Sequence, residues 1–162
     1  MQSVEENPLG LCDSGSEEFL TFSLQDEEFG IEIQSVQEIK KLSPITSIPN
    51  MPEFVKGVIN LRGIVVPVVD LRLRLGLRGT SYDRFSVIIV VKIAERPIGL
   101  VVDGVSDVLN IAHEDLESVP DFGIDVESSF LRGIAKSHDR MIMLLCLEEI
   151  IRTEAGSVAT AC

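Results

Sequence analysis

Phe54-Val55-Lys56-Gly57-Val58-Ile59-Asn60-Leu61-Arg62-Gly63-Ile64-Val65-Val66-Pro67-Val68-Val69-Asp70-Leu71 returns 76 residues later as Phe130-Leu131-Arg132-Gly133-Ile134-Ala135-Lys136-Ser137-His138-Asp139-Arg140-Met141-Ile142-Met143-Leu144-Leu145-Cys146-Leu147. Phe, Gly, the apolar runs, the tight turn and the closing Leu recur in register. In each copy two apolar runs flank a two-residue turn, Arg62-Gly63 or His138-Asp139, the pattern of a β-hairpin. A second match, at a slightly different offset, sets Gly30-Ile31, Val36 and Glu38-Ile39 against Gly99-Leu100, Val105 and Asp107-Val108. The chain therefore reads as two similar halves. Each holds about five short strands, too few for a sandwich but enough for a small closed barrel that hides its edges. The expected architecture is mainly β, with two small barrels packed into one unit.

Working outward, the period-two apolar runs are Phe19–Leu24, Phe29–Ile33, Val58–Leu61, Ile64–Val69, Phe85–Ile93, Ile98–Val102, Leu131–Ala135 and Met141–Leu147. Asp26-Glu27-Glu28, Ala94-Glu95-Arg96 and Asp103-Gly104 mark further turns. Pro67 points to an edge strand or a bulge. Short helical signals follow each repeat, at Asp70–Leu75 and Leu147–Arg152, and His113–Ser118 suits a turn or two. Residues 1–16 and 154–162 are polar and carry no apolar period, so they read as a disordered N-terminal tail and a flexible C-terminal tail around one domain over 17–153.

Fourteen Lys+Arg against 26 Asp+Glu give a net charge of −12, which disfavours a nucleic-acid backbone as partner. Aromatic residues are 5% with no Trp, so Val, Ile and Leu must fill the interior. No apolar run approaches the ~18 residues that cross a bilayer, and Glu5, Glu6 and Pro8 stand where a secretory signal would be basic and then apolar. The expected location is cytoplasmic, without membrane insertion. Cys12, Cys146 and Cys162 are odd in number and lack C-x-x-C spacing, which reads as reduced thiols.

Converging reactive groups are scarce. His113 and His138 both fall in turns without metal-ligand spacing, and no phosphate-binding glycine loop or nucleophile elbow occurs. The acidic runs Glu17-Glu18, Asp26-Glu27-Glu28 and Glu148-Glu149 read as solvated faces, since a catalytic carboxylate pair needs one buried member. No catalytic residue, metal or cofactor is expected. Binding features are better supported. Arg62 projects a forked guanidinium from a tight turn between apolar strands, suited to a carboxylate or carbonyl, or simply to solubility. Ile33–Lys41 mixes apolar and charged residues without clean alternation, as an edge or contact surface does, although packing accounts for Val36 and Ile39 equally well. Phe122, in Pro120-Asp121-Phe122-Gly123, suits an interface anchor or a ring folded back on its own barrel.

Glu18-Phe19-Leu20, Asp26-Glu27-Glu28-Phe29-Gly30-Ile31, Val36-Gln37-Glu38-Ile39, Gly57 through Leu71, Gly99 through Leu109 and Asp139-Arg140-Met141 together resemble the CheW family of bacterial chemotaxis coupling proteins over essentially the whole folded part. The resemblance implies two five-stranded SH3-like barrels and a non-catalytic adaptor joining the histidine kinase CheA to the cytoplasmic tips of chemoreceptors, monomeric outside the receptor arrays. It implies a receptor-facing groove between the barrels using Asn60, Arg62, Val87, Val105 and Val108. It also implies a kinase-facing surface around Val36, Glu38, Ile45 and Thr46, and a further array contact at Asp121 and Phe122. A coupler for another chemosensory output, or an acidic hydrolase or metal-binding enzyme, are the alternatives.

Overall fold

A computed structural model describes residues 15–77, 82–118 and 130–152. These form eleven strands: β1 (Ser16–Leu24), β2 (Glu27–Glu32), β3 (Val36–Lys41), β4 (Val55–Leu61), β5 (Ile64–Asp70), β6 (Val87–Ile93), β7 (Arg96–Val102), β8 (Gly104–Ala112), β9 (Leu116–Glu117), β10 (Leu131–Ser137) and β11 (Arg140–Leu145). Two one-turn helices, α1 (Leu71–Arg74) and α2 (Leu147–Ile150), follow β5 and β11. The two-residue turns Arg62-Gly63, Ala94-Glu95 and His138-Asp139 have positive φ at both positions, the twist that matches right-handed strand pairs.

One sheet has the order β3-β6-β7-β5-β4 and the other β8-β1-β2-β11-β10-β9. The first curls until its edges meet: beyond β3, Thr46 exchanges backbone hydrogen bonds of 2.9 Å each way with Val58 of β4. In the second, β8 bends through a 3-10 turn at His113–Asp115 and returns as β9 against β10, so both edges belong to one stretch of chain. Closure brings backbones together at the repeated glycines. A Cβ on Gly57 would lie 2.0 Å from the Thr46 carbonyl oxygen, and one on Gly133 would lie 2.9 Å from that of Glu117.

The repeat is real, but the expectation of one barrel per half of the chain needs correction. Barrel 1 takes β3, β4 and β5 from the first repeat and β6–β7 from the second. Barrel 2 takes β1–β2 from the first and β8–β11 from the second. The halves have exchanged their leading hairpins. Each exchanged hairpin docks by parallel pairing, β7 with β5 and β2 with β11.

Three cores result. Ile59, Leu61, Val66, Val68, Ile88, Val90 and Val101 fill barrel 1, and Phe19, Ile111, Ala135, Ile142 and Leu144 fill barrel 2. The largest core lies between the barrels, where Phe22, Phe29 and Ile31 meet Ile89, Val91 and Leu100. Burying each such side chain contributes roughly 1.5–3 kcal/mol. Hence β6 and β7 are apolar on both faces.

Three smaller expectations change. Pro67 lies in β5, which is interior to its sheet, but the ladder with β7 begins only at Val68. Phe85 belongs to a turn, and β6 starts at Val87. Cys146, expected as a reduced thiol, is disulfide-bonded, because spacing along the chain does not decide which cysteines folding brings together.

Candidate functional site

The turn joining β4 to β5 is built from backbone geometry upward. Arg62 adopts φ 51 and Gly63 φ 86, and the Gly63 N–H donates to Asn60 Oδ1 at 2.8 Å. Asn60 therefore fixes the turn that presents Arg62. From there the guanidinium donates to both carboxylate oxygens of Glu38 on β3, at 2.9 and 3.1 Å. Ile64 and Val65, next along β5, are exposed at 57% and 65%, an uncommon placement for β-branched residues at a strand start. Arg62 and Glu38, expected on different surfaces, thus form one ion pair. Barrel 2 carries a related arrangement at the equivalent place. Arg140 bridges Asp107 on β8 at 3.2 Å and Glu28 on β2, with exposed Met141 beside it in sequence. Arg140 first, then the Thr21 hydroxyl at 2.6 Å, hold the Asp107 carboxyl below the usual carboxylate range.

Val87 and Val105 line one open groove at the seam between the barrels. Asn60, Arg62 and Val108 do not line it. Val108 lies on β8 opposite Leu20, half exposed. Sequence reasoning missed the groove's most prominent residue, Phe85, which is 61% exposed. Its place at the head of an apolar run read as the start of a strand.

Beneath the groove lies a buried charged network. Asp70 caps α1, its Oδ1 accepting from Arg72 N at 2.9 Å, and its other oxygen accepts from the Tyr82 hydroxyl. Arg72, 5% exposed, reaches Asp103 at 3.5 Å and stacks 5.0 Å over the Tyr82 ring. Asp103 in turn accepts from Gln25 N at 2.7 Å in the β1–β2 turn. The network ties barrel 1 to barrel 2. Burial, and then the bond to Asp70, push the Tyr82 phenol far above its ordinary pKa.

Of the expected kinase-facing residues, Val36 packs against the core between the barrels and Ile45 against the barrel 1 core. Thr46 is exposed, with its backbone in the closing bridge. Asp121 and Phe122 lie outside the described residues. Among the described residues no cluster of His, Cys, Asp or Glu could hold a metal ion, and no helix is long and apolar enough to cross a membrane.

A family model for the CheW-like domain matches residues 18–155. This chain belongs to the CheW-like family. CheW-like membership makes it a non-catalytic adaptor of the chemotaxis coupling class. It is 43% identical over 138 residues to the chemotaxis protein CheW of Klebsiella aerogenes, covering 85% of this chain and 83% of that protein. The chemotaxis protein CheW of Rhizobium meliloti is 40% identical over 146 residues, 90% of this chain and 94% of that protein. The crystal structure of the scaffolding protein TtCheW from Thermoanaerobacter tengcongensis matches with a TM-score of 0.83 at 35% identity, over 90% of this chain and 99% of that one. The CheW-like fold and the two-barrel architecture therefore agree.

Proposed function

We propose that this protein couples the cytoplasmic tips of transmembrane chemoreceptors to the histidine kinase CheA, working in the cytoplasm at membrane-associated arrays. The observation that carries the reading is a CheW-like chain whose two barrels present at their seam an open groove with Phe85, Val87 and Val105 among charged residues and, apart from it, an exposed ion pair with exposed Ile64 and Val65 next along its strand. A helical receptor tip lies along the groove against Val87 and Val105. The barrel 1 surface with Glu38, Ile45 and Thr46 takes the kinase, and Arg62 stands on that surface, paired with Glu38. No bond is made or broken. Signal passes because the bound states differ in free energy, typically by about 1–3 kcal/mol of coupling.

The test is the phosphorylation rate of CheA with receptor-bearing membranes, with and without this protein. The expected result is a rise that needs all three components and that attractant suppresses. No rise, with folded protein and active kinase, overturns the reading.

A further inference from the structure

We propose that Phe85 is the anchor on which a receptor helix seats, and that opposite charges on the two rims of its groove choose the helix and its direction. The inference rests on the receptor-docking reading above and adds to it a residue and a charge pattern.

Phe85 is exposed but not loose. Its N–H donates to Asp83 Oδ1 at 2.8 Å, the Asp83 N–H donates to Ser86 Oγ at 3.0 Å, and the Ser86 N–H returns to the Asp83 carbonyl at 3.1 Å. Ser86 is buried, so the turn is pinned from below. On the barrel 2 side, a Cβ placed on Gly104 would stand 3.8 Å from Phe85 Cβ, so the β7–β8 corner packs against the base of the side chain. An aromatic side chain carried on an ordered turn has only its two χ angles to lose on binding, which suits an interface anchor. Val87 and Val105 extend the same apolar floor.

The rims carry opposite signs. Lys41 and Arg84 stand on the barrel 1 side, with the Arg84 guanidinium 5.0 Å over the Phe85 ring and Asp83 turned to the Phe85 N–H, while Asp26 and Glu27 of the β1–β2 turn stand on the barrel 2 side; Glu28 and Asp103 also line the groove but are paired with Arg140 and Arg72. The occupant is therefore an amphipathic helix of the receptor tip with apolar residues at i, i+3 or i+4, and i+7 facing Phe85 and the valines. Its flank toward Lys41 and Arg84 is acidic, and its flank toward Asp26 and Glu27 is basic. Turning such a helix end for end sets like charges against each rim, so the rims reject the reversed direction.

The test uses the soluble helical cytoplasmic fragment of a chemoreceptor from the same organism as immobilised probe, and the full chain in solution. Phe85→Ser should raise Kd about 10-fold or more, and Phe85→Leu should raise it less, with circular dichroism and melting temperature unchanged because the ring is exposed. The double variant Lys41→Glu with Arg84→Glu should slow association at low salt, an effect that shrinks as salt rises. If the wild-type chain does not bind the fragment, the receptor-docking reading falls and this one with it. If wild type binds and Phe85→Ser stays within about twofold, the anchor is overturned while the docking reading stands. Unchanged association by the charge-reversed chain overturns the rim selection.

Discussion

Arg62 occupies the first position of a turn that needs positive φ at both residues, a place where Asn is favoured and a long side chain pays a conformational cost. Its ion pair with Glu38 is exposed and so contributes little to stability. Arg62→Asn should therefore leave the melting temperature unchanged or slightly raised while weakening receptor-dependent control of CheA; a fall in both would mean the arginine serves the fold. Tyr82 offers a second test at this scale, because it is the only tyrosine and there is no tryptophan. Its phenol is held protonated by burial and by Asp70. The raised folded pKa stabilises the native state fully below the unfolded value near 10, and that contribution is lost as pH rises from there through the folded value. Ultraviolet absorbance during alkaline titration should show phenolate appearing well above pH 10, together with unfolding; an ordinary titration curve in the folded protein would mean the hydroxyl is not held by Asp70.

At the scale of elements, the closing bridge of barrel 1 sets a sharp contrast between two glycines. Gly57→Ala drives a methyl into the Thr46 carbonyl, whereas Gly63→Ala meets open space and only backbone strain. Urea denaturation should show a loss above about 3 kcal/mol for the first and about 1 kcal/mol for the second; equal losses would mean that closure at Thr46 does not hold the barrel. Arg74, after β5, lies over the rings of Phe54 and Phe130 at 4.4 and 4.7 Å and donates to the Ile150 carbonyl at 2.6 Å. The two repeated phenylalanines thus meet on one cation. The hairpins were legible because apolar runs flank two-residue turns in β4–β5 and β10–β11, although β4 and β10 carry bulges. β3 and β8 were not, because they are largely exposed and mix charged with apolar residues, so burial imposes no continuous apolar pattern on them. The site divides the same way. Val87 and Val105 came from the family pattern and line the groove, but Phe85 hid at the head of an apolar run. The Arg62–Glu38 pair could not be read either, since it joins residues that meet only when the sheet curls.

For the whole molecule, the core between the barrels decides how it comes apart. Phe22, Phe29 and Ile31 of barrel 2 share one buried cluster with Ile89, Val91 and Leu100 of barrel 1, so neither barrel can open without exposing the other's apolar face. Far-ultraviolet circular dichroism, which reports on both barrels, and Tyr82 absorbance, which reports on the seam, should follow one coincident denaturation curve. Two separated curves would mean the barrels are independent units. The exchanged hairpins carry one more consequence, for synthesis on the ribosome. β1 and β2 leave the ribosome first, yet β2 finds its neighbour β11 only when residues 140–145 have been made. At about 5–20 residues per second the opening hairpin waits roughly 6–20 s, while barrel 1, complete at Val102, can close ahead of it. Among the described elements, the first hairpin to be made is among the last to find its place.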